Sequence, residues 1–320
     1  MKVLIPGGAG FIGAELTKFL TRKFGFEVSV IDVNTDYINK NLSDAGLMDS
    51  QIGNFNLLDK KEMGAFIGKQ KFDCIIHLAA NSDISKSFEN PKIDLDNTLG
   101  STISILEIMR EKAIQNIFFA SSSAIYGEVQ DNVLVDENFG PLVPISHYGA
   151  AKLASEAFIN SFSESYALRS IIFRFPNVIG PGLTHGVIYD LHAKLQKSQD
   201  TLEVLGDGMQ EKSYLHTSDL NEGIIKALVA LKSMKQKSNI YNIANYDTIT
   251  VRKIVESLIN LLDLKTIINY EQSDRGWIGD VPKFVFEVKK IHSLGWQPKL
   301  NSLMAVEEAI KALIYASNNS

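Results

Sequence analysis

Read from the N-terminus, the apolar positions change period in a regular way. A short apolar run, Val3-Leu4-Ile5, feeds a cluster of glycines at Gly7, Gly8, Gly10 and Gly13. Residues 14–24 then carry apolar side chains at helical spacing, and a second apolar run over 26–31 ends on Asp32. Runs this short are strands rather than buried helices, and the segment between them is a helix. The same alternation continues with a strand over 72–80, an amphipathic helix over 97–112, a strand over 117–122, a helix from 147 to about 166 and a strand over 170–175. Strict alternation of this kind predicts an α/β fold, a Rossmann-type doubly wound parallel sheet.

Between these elements the pattern is weaker. Residues 34–49 are polar and without periodicity, 50–55 form a weak strand, and Asp59 is placed to cap a helix running to 67. Residues 128–146 form a long proline-bearing loop. Past Pro176 the expected elements shorten: a loop over 177–184, a helix over 185–198, a strand over 202–205, a helix over 218–231 and a strand over 240–244. A helix over 250–262, an extended stretch over 266–270 and a helix over 306–314 complete the chain.

Composition narrows the picture. With 320 residues, 45% hydrophobic and 22% charged, the chain has ample apolar material for a core. Its net charge of −5 leaves no general basic surface, which argues against sequence-independent nucleic-acid binding and favours small-molecule partners. The single cysteine, Cys74, lies in an apolar run, so it has no intrachain disulfide partner and is expected to be a small buried side chain. No basic-then-apolar leader and no apolar run of about 18 residues is present. A cytoplasmic protein with neither membrane nor metal partner is therefore expected.

The glycines carry the first chemistry. A chain turning from a strand into a helix while admitting a diphosphate to the helix N-terminus needs residues without a Cβ. Gly7, Gly10 and Gly13, with Phe11 and Ile12 between, meet that need, and Asp32 follows at the end of the next strand, where a carboxylate accepts from ribose hydroxyls and repels a 2′-phosphate. The expected cofactor is NAD. Asn56 lies where an adenine could be read, or is a turn asparagine bonding its own backbone.

Further on, the strand over 117–122 ends in Ser121-Ser122-Ser123, at the carboxyl edge where parallel sheets bind ligands. Tyr148 and Lys152 are four residues apart and share one helical face. A phenol with a reference pKa near 10 is a poor base at neutral pH, but an ammonium one turn away and the cationic nicotinamide of the expected cofactor would both favour its ionised form. Tyr148 could then take a proton from a sugar hydroxyl while Ser122 donates to the developing oxygen charge.

At these residues the chain resembles the extended short-chain dehydrogenase/reductase family, in its NAD-dependent nucleotide-sugar epimerase/dehydratase branch, the UDP-glucose 4-epimerase-like enzymes. The resemblance rests on residues 7–13, Asp32, His77-Leu78-Ala79-Ala80, Asn97, residues 121–127, Tyr148 with Lys152, and residues 173–178. It continues through 205–210, 275–280 and 294–298, and so spans almost the whole chain. It implies a dinucleotide-binding domain over 1–175, to which 214–244 return, and a smaller C-terminal α/β domain over 176–213 and 245–320 for the nucleotide sugar. Ser122, Tyr148 and Lys152 would be catalytic. Leu57, Leu78, Ala79, Ala80 and Asn97 would add to the cofactor surface, as would Tyr148 and Lys152. Ser82, Ser122, Ser123, Asn177, Val187, Lys212 and Arg275 would face the substrate.

Departures from the pattern select among reactions. The dehydratases of this branch carry an Asp-Glu pair directly after the catalytic residue, and its decarboxylases a glutamate; this chain has Ser123 and Ala124. Without a carboxylate there, elimination and decarboxylation lose their proton-transfer group, which leaves C4 epimerisation or net C4 oxidation of a UDP-linked or similar sugar. Two positions depart elsewhere: Lys212 stands where an arginine is expected, and Pro6 where a threonine is usual. The helices over 97–112 and 148–166 are the expected homodimer surface.

Overall fold

The computed structural model describes residues 1–68, 70–81, 84–130, 133–273 and 285–318. The chain divides into two compact units: Met1–Gly127, Leu142–Arg174 and Ile225–Tyr241 form one, and Glu128–Pro141, Phe175–Ile224 and Asn242–Ser320 the other.

The first unit is built on a seven-stranded sheet. Its strands are β1 (Lys2–Pro6), β2 (Glu27–Asp32), β3 (Ile52–Asn54), β4 (Cys74–His77), β5 (Asn116–Ser122), β6 (Arg169–Phe175) and β7 (Ser238–Asn242). Their order is β7-β6-β5-β4-β1-β2-β3, and β1 pairs parallel with both β2 and β4. The strand order reverses between β1 and β4, the point at which such sheets open a crevice at their carboxyl ends. The expected doubly wound sheet is therefore present. Val3, Leu4, Ile5, Ile75 and Ile76 have no exposed surface, as strands covered on both faces require.

Local chemistry sets the helix ends. Helix α1 (Phe11–Phe24) stops at Gly25 in the left-handed conformation, whose N–H returns to the carbonyls of Leu20 and Thr21. After α2 (Thr35–Asn41) comes α3 (Lys60–Ile67), where Asp59 caps as expected, accepting from the N–H groups of Lys61 and Glu62. Helix α4 (Ser101–Glu111) buries Ile105, Leu106, Ile108 and Met109 against Met63 and Ile67 of α3 and the sheet residues Ile117 and Phe119. Helix α5 (His147–Tyr166) starts at Ser146, whose hydroxyl accepts from Gly149 N–H at 3.1 Å.

Three segments differ from the expectation. Residues 35–41 are helical although they show no periodicity, because α2 buries no residue and is held by its cap, Asn34 accepting from Tyr37 N–H. The helix expected from 97 begins earlier: a turn over Lys92–Asp94 continues into a π-helical stretch, Leu95–Gly100, before α4. The extra residue per turn shifts the apolar phase and hides the join. Within the loop expected over 177–184, Asn177–Ile179 is a strand paired parallel with Tyr214–His216.

The second unit is a smaller α/β assembly. Thr201–Val204 pairs parallel with Ile267–Tyr270, and Glu211–Lys212 antiparallel with Ile249–Thr250. The helices Val187–Lys197, Val251–Leu262 and Ser302–Asn318 pack on one another and bury Leu191, Leu195, Ile254, Leu258, Val306 and Ile310. Asp219 ties this core together by accepting from the N–H groups of Lys299 and Leu300.

Candidate active site

At the exit of β1 the backbone is fitted too closely for any side chain. Gly7 has a φ of +81°, and a Cβ there would lie 2.5 Å from Ala79 N; one on Gly13 would lie 2.1 Å from the Gly7 carbonyl. Gly10, by contrast, caps α1 with nothing within 3.4 Å of its added Cβ except that same carbonyl. The N-terminus of α1 has neither a side-chain cap nor an acidic residue in its first turn, so its N–H groups, those of Phe11 and Ile12 included, face an approach that suits an anion. Pro6 is accommodated at the end of β1. Its carbonyl accepts from Leu78 and Ala79, while Gly7 supplies the N–H to Ile31 of β2.

Asp32 stands at the end of β2, half-buried, with one carboxylate oxygen accepting from Ala9 N–H at 3.0 Å and the other from Asn34 N–H at 3.1 Å. Those contacts fix the carboxylate beside the glycine turn and leave lone pairs for two hydroxyls. The residues present thus fit a dinucleotide with an unsubstituted ribose. Leu78, Ala79 and Ala80 are half-buried beyond β4. Two other expected cofactor contacts have partners within the protein. Asn56 accepts from Leu58 N–H at 2.9 Å in an Asx turn, and Leu57 is buried in the core beside Met63. Asn97 lies exposed on the π-helical stretch.

The structure brings Ser122, Tyr148 and Lys152 together. Ser122 ends β5 and its oxygen accepts from Ala124 N–H at 3.1 Å, and its hydroxyl acts on the Tyr148 phenol, favouring the ionised form. Lys152 is buried; its ammonium donates to the Ala120 carbonyl at 2.6 Å and lies 4.7 Å from the Phe119 ring centre and 5.6 Å from that of Tyr148. Ser123 is half-buried at the start of the short 3-10 turn Ser123–Ile125.

In the protein without cofactor, burial sets the electrostatics of the pair. Burial pushes the Tyr148 phenol up to about 12, the Ser122 hydroxyl opposes this, and the charge of Asp94 adds to it. Burial likewise pulls the Lys152 ammonium down to about 7, against the carboxylates of Asp94 and Glu156. In the protein alone desolvation dominates both groups, so Lys152 by itself does not make Tyr148 acidic.

Beneath the pair lies a buried polar layer that the sequence reading missed. Glu156, one turn after Lys152 on α5, accepts from Arg174 Nε at 3.1 Å and Nη2 at 2.8 Å, and from the Ser121 hydroxyl. Arg174 Nη1 donates to the Tyr126 hydroxyl at 3.0 Å. The layer joins α5 to β5 and β6. The i, i+4, i+8 spacing of Tyr148, Lys152 and Glu156 on one face was the available signal. His77 Nε2 lies 3.1 Å from the Thr102 hydroxyl; since that hydroxyl donates to the Thr98 carbonyl, Nε2 carries the proton. Burial drives His77 down to about 3, so it is a neutral structural group.

The second unit holds the remaining expected substrate residues. Asn177 is exposed in register with Tyr214, Val187 opens the helix Val187–Lys197 half-buried, and Lys212 is half-buried in register with Ile249. Ser82 and Arg275 lie outside the described residues. Among the described residues no group of three or more His, Cys, Asp or Glu side chains could hold a metal, and no helix is long and apolar enough to cross a membrane.

Comparison with known proteins places this geometry. The chain is 30% identical over 324 residues to a putative UDP-glucose 4-epimerase of Methanocaldococcus jannaschii, covering 99% of each chain. It is 26% identical to a dTDP-D-glucose 4,6-dehydratase of Dictyostelium discoideum, covering 99% of this chain and 82% of the other. The solved UDP-glucose 4-epimerase of Thermus thermophilus in complex with NAD superposes with a TM-score of 0.85 at 26% identity, over 99% of this chain and 100% of that one. The NAD dependent epimerase/dehydratase family matches residues 3–244, and the chain belongs to that family.

Proposed function

We propose that the protein is an NAD-dependent nucleoside-diphosphate-sugar 4-epimerase, acting on UDP-glucose and UDP-galactose or their N-acetyl forms through a transient 4-keto sugar. The observation that carries this reading is a complete Ser122, Tyr148 and Lys152 constellation followed by Ser123 and Ala124, with no carboxylate for elimination. That absence favours the epimerase relatives over the dehydratase ones.

NAD supplies a hydride acceptor that later returns what it took. The chain's part is proton transfer and positioning. Tyr148 takes the proton of the C4 hydroxyl on oxidation and gives one back to the C4 oxygen on reduction at the opposite face of the sugar. Ser122, beside the phenol, gives its hydroxyl to the C4 oxygen and holds it in line. Lys152 supplies positive charge beneath the phenol and a donor for ribose hydroxyls. Gly7, Gly10, Phe11, Ile12, Gly13 and Asp32 hold the diphosphate and adenosine ribose. Asn177, Lys212 and Arg275 bind the substrate diphosphate, and Ser82, Ser123 and Val187 border the sugar.

Incubation with UDP-galactose, with sugar configuration and NADH absorbance followed together, tests the reading. Inverted sugar without net NADH is expected. NADH accumulating in step with keto sugar would replace epimerisation with net C4 oxidation. Tyr148→Phe should lower kcat by roughly 10²- to 10⁴-fold, the range for loss of a general acid–base group; turnover left intact refutes the role. A homodimer through α4 and α5 accompanies the proposal, supported by the exposed apolar side chains of Leu95, on the π-helical stretch that leads into α4, and Phe158 of α5. Light scattering that gives a monomer at working concentration removes it.

A further inference from the structure

Among the described residues, Asp94 is the one buried carboxylate of the first unit that the proposed chemistry does not use and no basic side chain pairs. It closes the turn Lys92–Asp94 at 1% exposure, where the chain enters the π-helical stretch. One of its oxygens accepts from Asn81 Nδ2 at 3.1 Å and from the Thr98 hydroxyl at 3.4 Å. The other has no hydrogen-bond partner among the described residues. A carboxylate is not carried into an apolar interior half-satisfied unless a charge nearby offsets it.

The candidates for that charge are few. The turn and the π-helical stretch both pack on α5, whose inward face carries Tyr148, Lys152 and Glu156. Glu156 is committed to Arg174, and His77 of β4 is neutral. Lys152 donates only to a backbone carbonyl among the described residues, so it is a buried cation without a side-chain counter-ion in hydrogen-bond contact. Among the charges acting on it, Asp94 is the largest favourable one, ahead of Glu156, and Asp94 also acts on Tyr148.

We propose that Asp94 is a positioning residue, the buried counter-charge that keeps the Lys152 ammonium charged beneath Tyr148. It touches neither phenol nor substrate; it acts through Lys152. Asn81 and Thr98 hold it in place at the entry to the π-helical stretch. The inference rests on the roles assigned above to Tyr148 and Lys152.

The test is Asp94→Asn, which keeps shape and the acceptor for Asn81 and Thr98 and removes only charge. Loss of a negative charge lowers the proton affinity of every neighbouring group, so both limbs of the kcat–pH profile should move to lower pH, by about one unit. KM for the nucleotide sugar should not change. A second reading needs no sugar: in the NAD-loaded protein, the tyrosinate absorbance that is lost in Tyr148→Phe should also appear at lower pH in the Asp94→Asn variant. If that variant fails to melt cooperatively, Asp94→Ser replaces it, with the same expected shift. Profile and titration left in place, or moved to higher pH, overturn the inference. A titration that shifts in a protein that inverts no sugar overturns the proposed function and leaves Asp94 in its role.

Discussion

Lys152→Met should make the protein more stable while abolishing its proposed chemistry. The side chain is 2% exposed, and burial has pulled its ammonium from an ordinary 10.5 to about 7. A displacement of that size corresponds to about 4–5 kcal/mol of unfavourable charging in the folded state. The attraction to Asp94 and Glu156 is already contained in it. Against this, a thioether leaves the Ala120 carbonyl without the donor it now has at 2.6 Å, a loss of roughly 2 kcal/mol. About 2 kcal/mol of net stabilisation remains near pH 6. Because the folded pKa is depressed, the unfolded chain binds more protons between about 7 and 10.5, so wild-type stability rises with pH across that window. The variant should lack this rise. Urea unfolding on either side of the window, with unchanged m, measures both. A variant less stable than wild type near pH 6, with the same slope above neutrality, refutes the claim that Lys152 is held against its own solvation.

The buried ion pair behaves in the opposite sense. Arg174→Met should cost about 3–5 kcal/mol in urea unfolding, because Glu156 at 4% side-chain exposure loses two donors and its counter-charge. The double variant Glu156→Leu with Arg174→Met should recover most of that loss; a double variant as unstable as the single one would show that the pair itself is needed. His77 is held near 3 by burial against an ordinary 6.5, so its contribution is complete above 6.5 and is lost as pH falls toward 3. His77→Leu should therefore unfold at lower pH than wild type, and an unchanged acid midpoint refutes this.

What could be read in the sequence follows from what has a period. The strands β1, β2 and β5, the cap at Asp59 and the start of α5 at Ser146 are each written in a local pattern, and the structure places them within a residue or two. Helix α2 has no apolar stripe and is set by one side-chain cap, so it left no trace in the pattern. The π-helical stretch broke the phase of an otherwise legible helix. In the candidate site, glycines that admit no Cβ and a tyrosine and lysine four apart are legible because the requirement is local. Leu57 and Asn56 show why the pattern is ambiguous there, since a core contact and an Asx turn use the same residue types as a ligand contact. Asp94 escaped because its significance lies in another helix, across 58 positions of sequence from Lys152.

The same distinction explains why the sequence pattern left the effect of burial on the pair unread. An i, i+4 pair on a helix surface is judged in water, where a neighbouring ammonium favours a phenolate and little else acts. Burying Lys152 and half-burying Tyr148 at the end of β5 removes solvent from both, and solvent loss falls on each group alone. The shifts to about 12 and about 7 are the result. The low dielectric that suppresses ionisation also multiplies the effect of any further charge, about fourfold between the water value and one typical of protein sites. A buried pair poised this way responds to one added or removed charge, such as that of Asp94, far more strongly than an exposed pair could. Its pH response is therefore a property of the whole buried layer, Glu156 and Arg174 included, and not of Tyr148 taken alone.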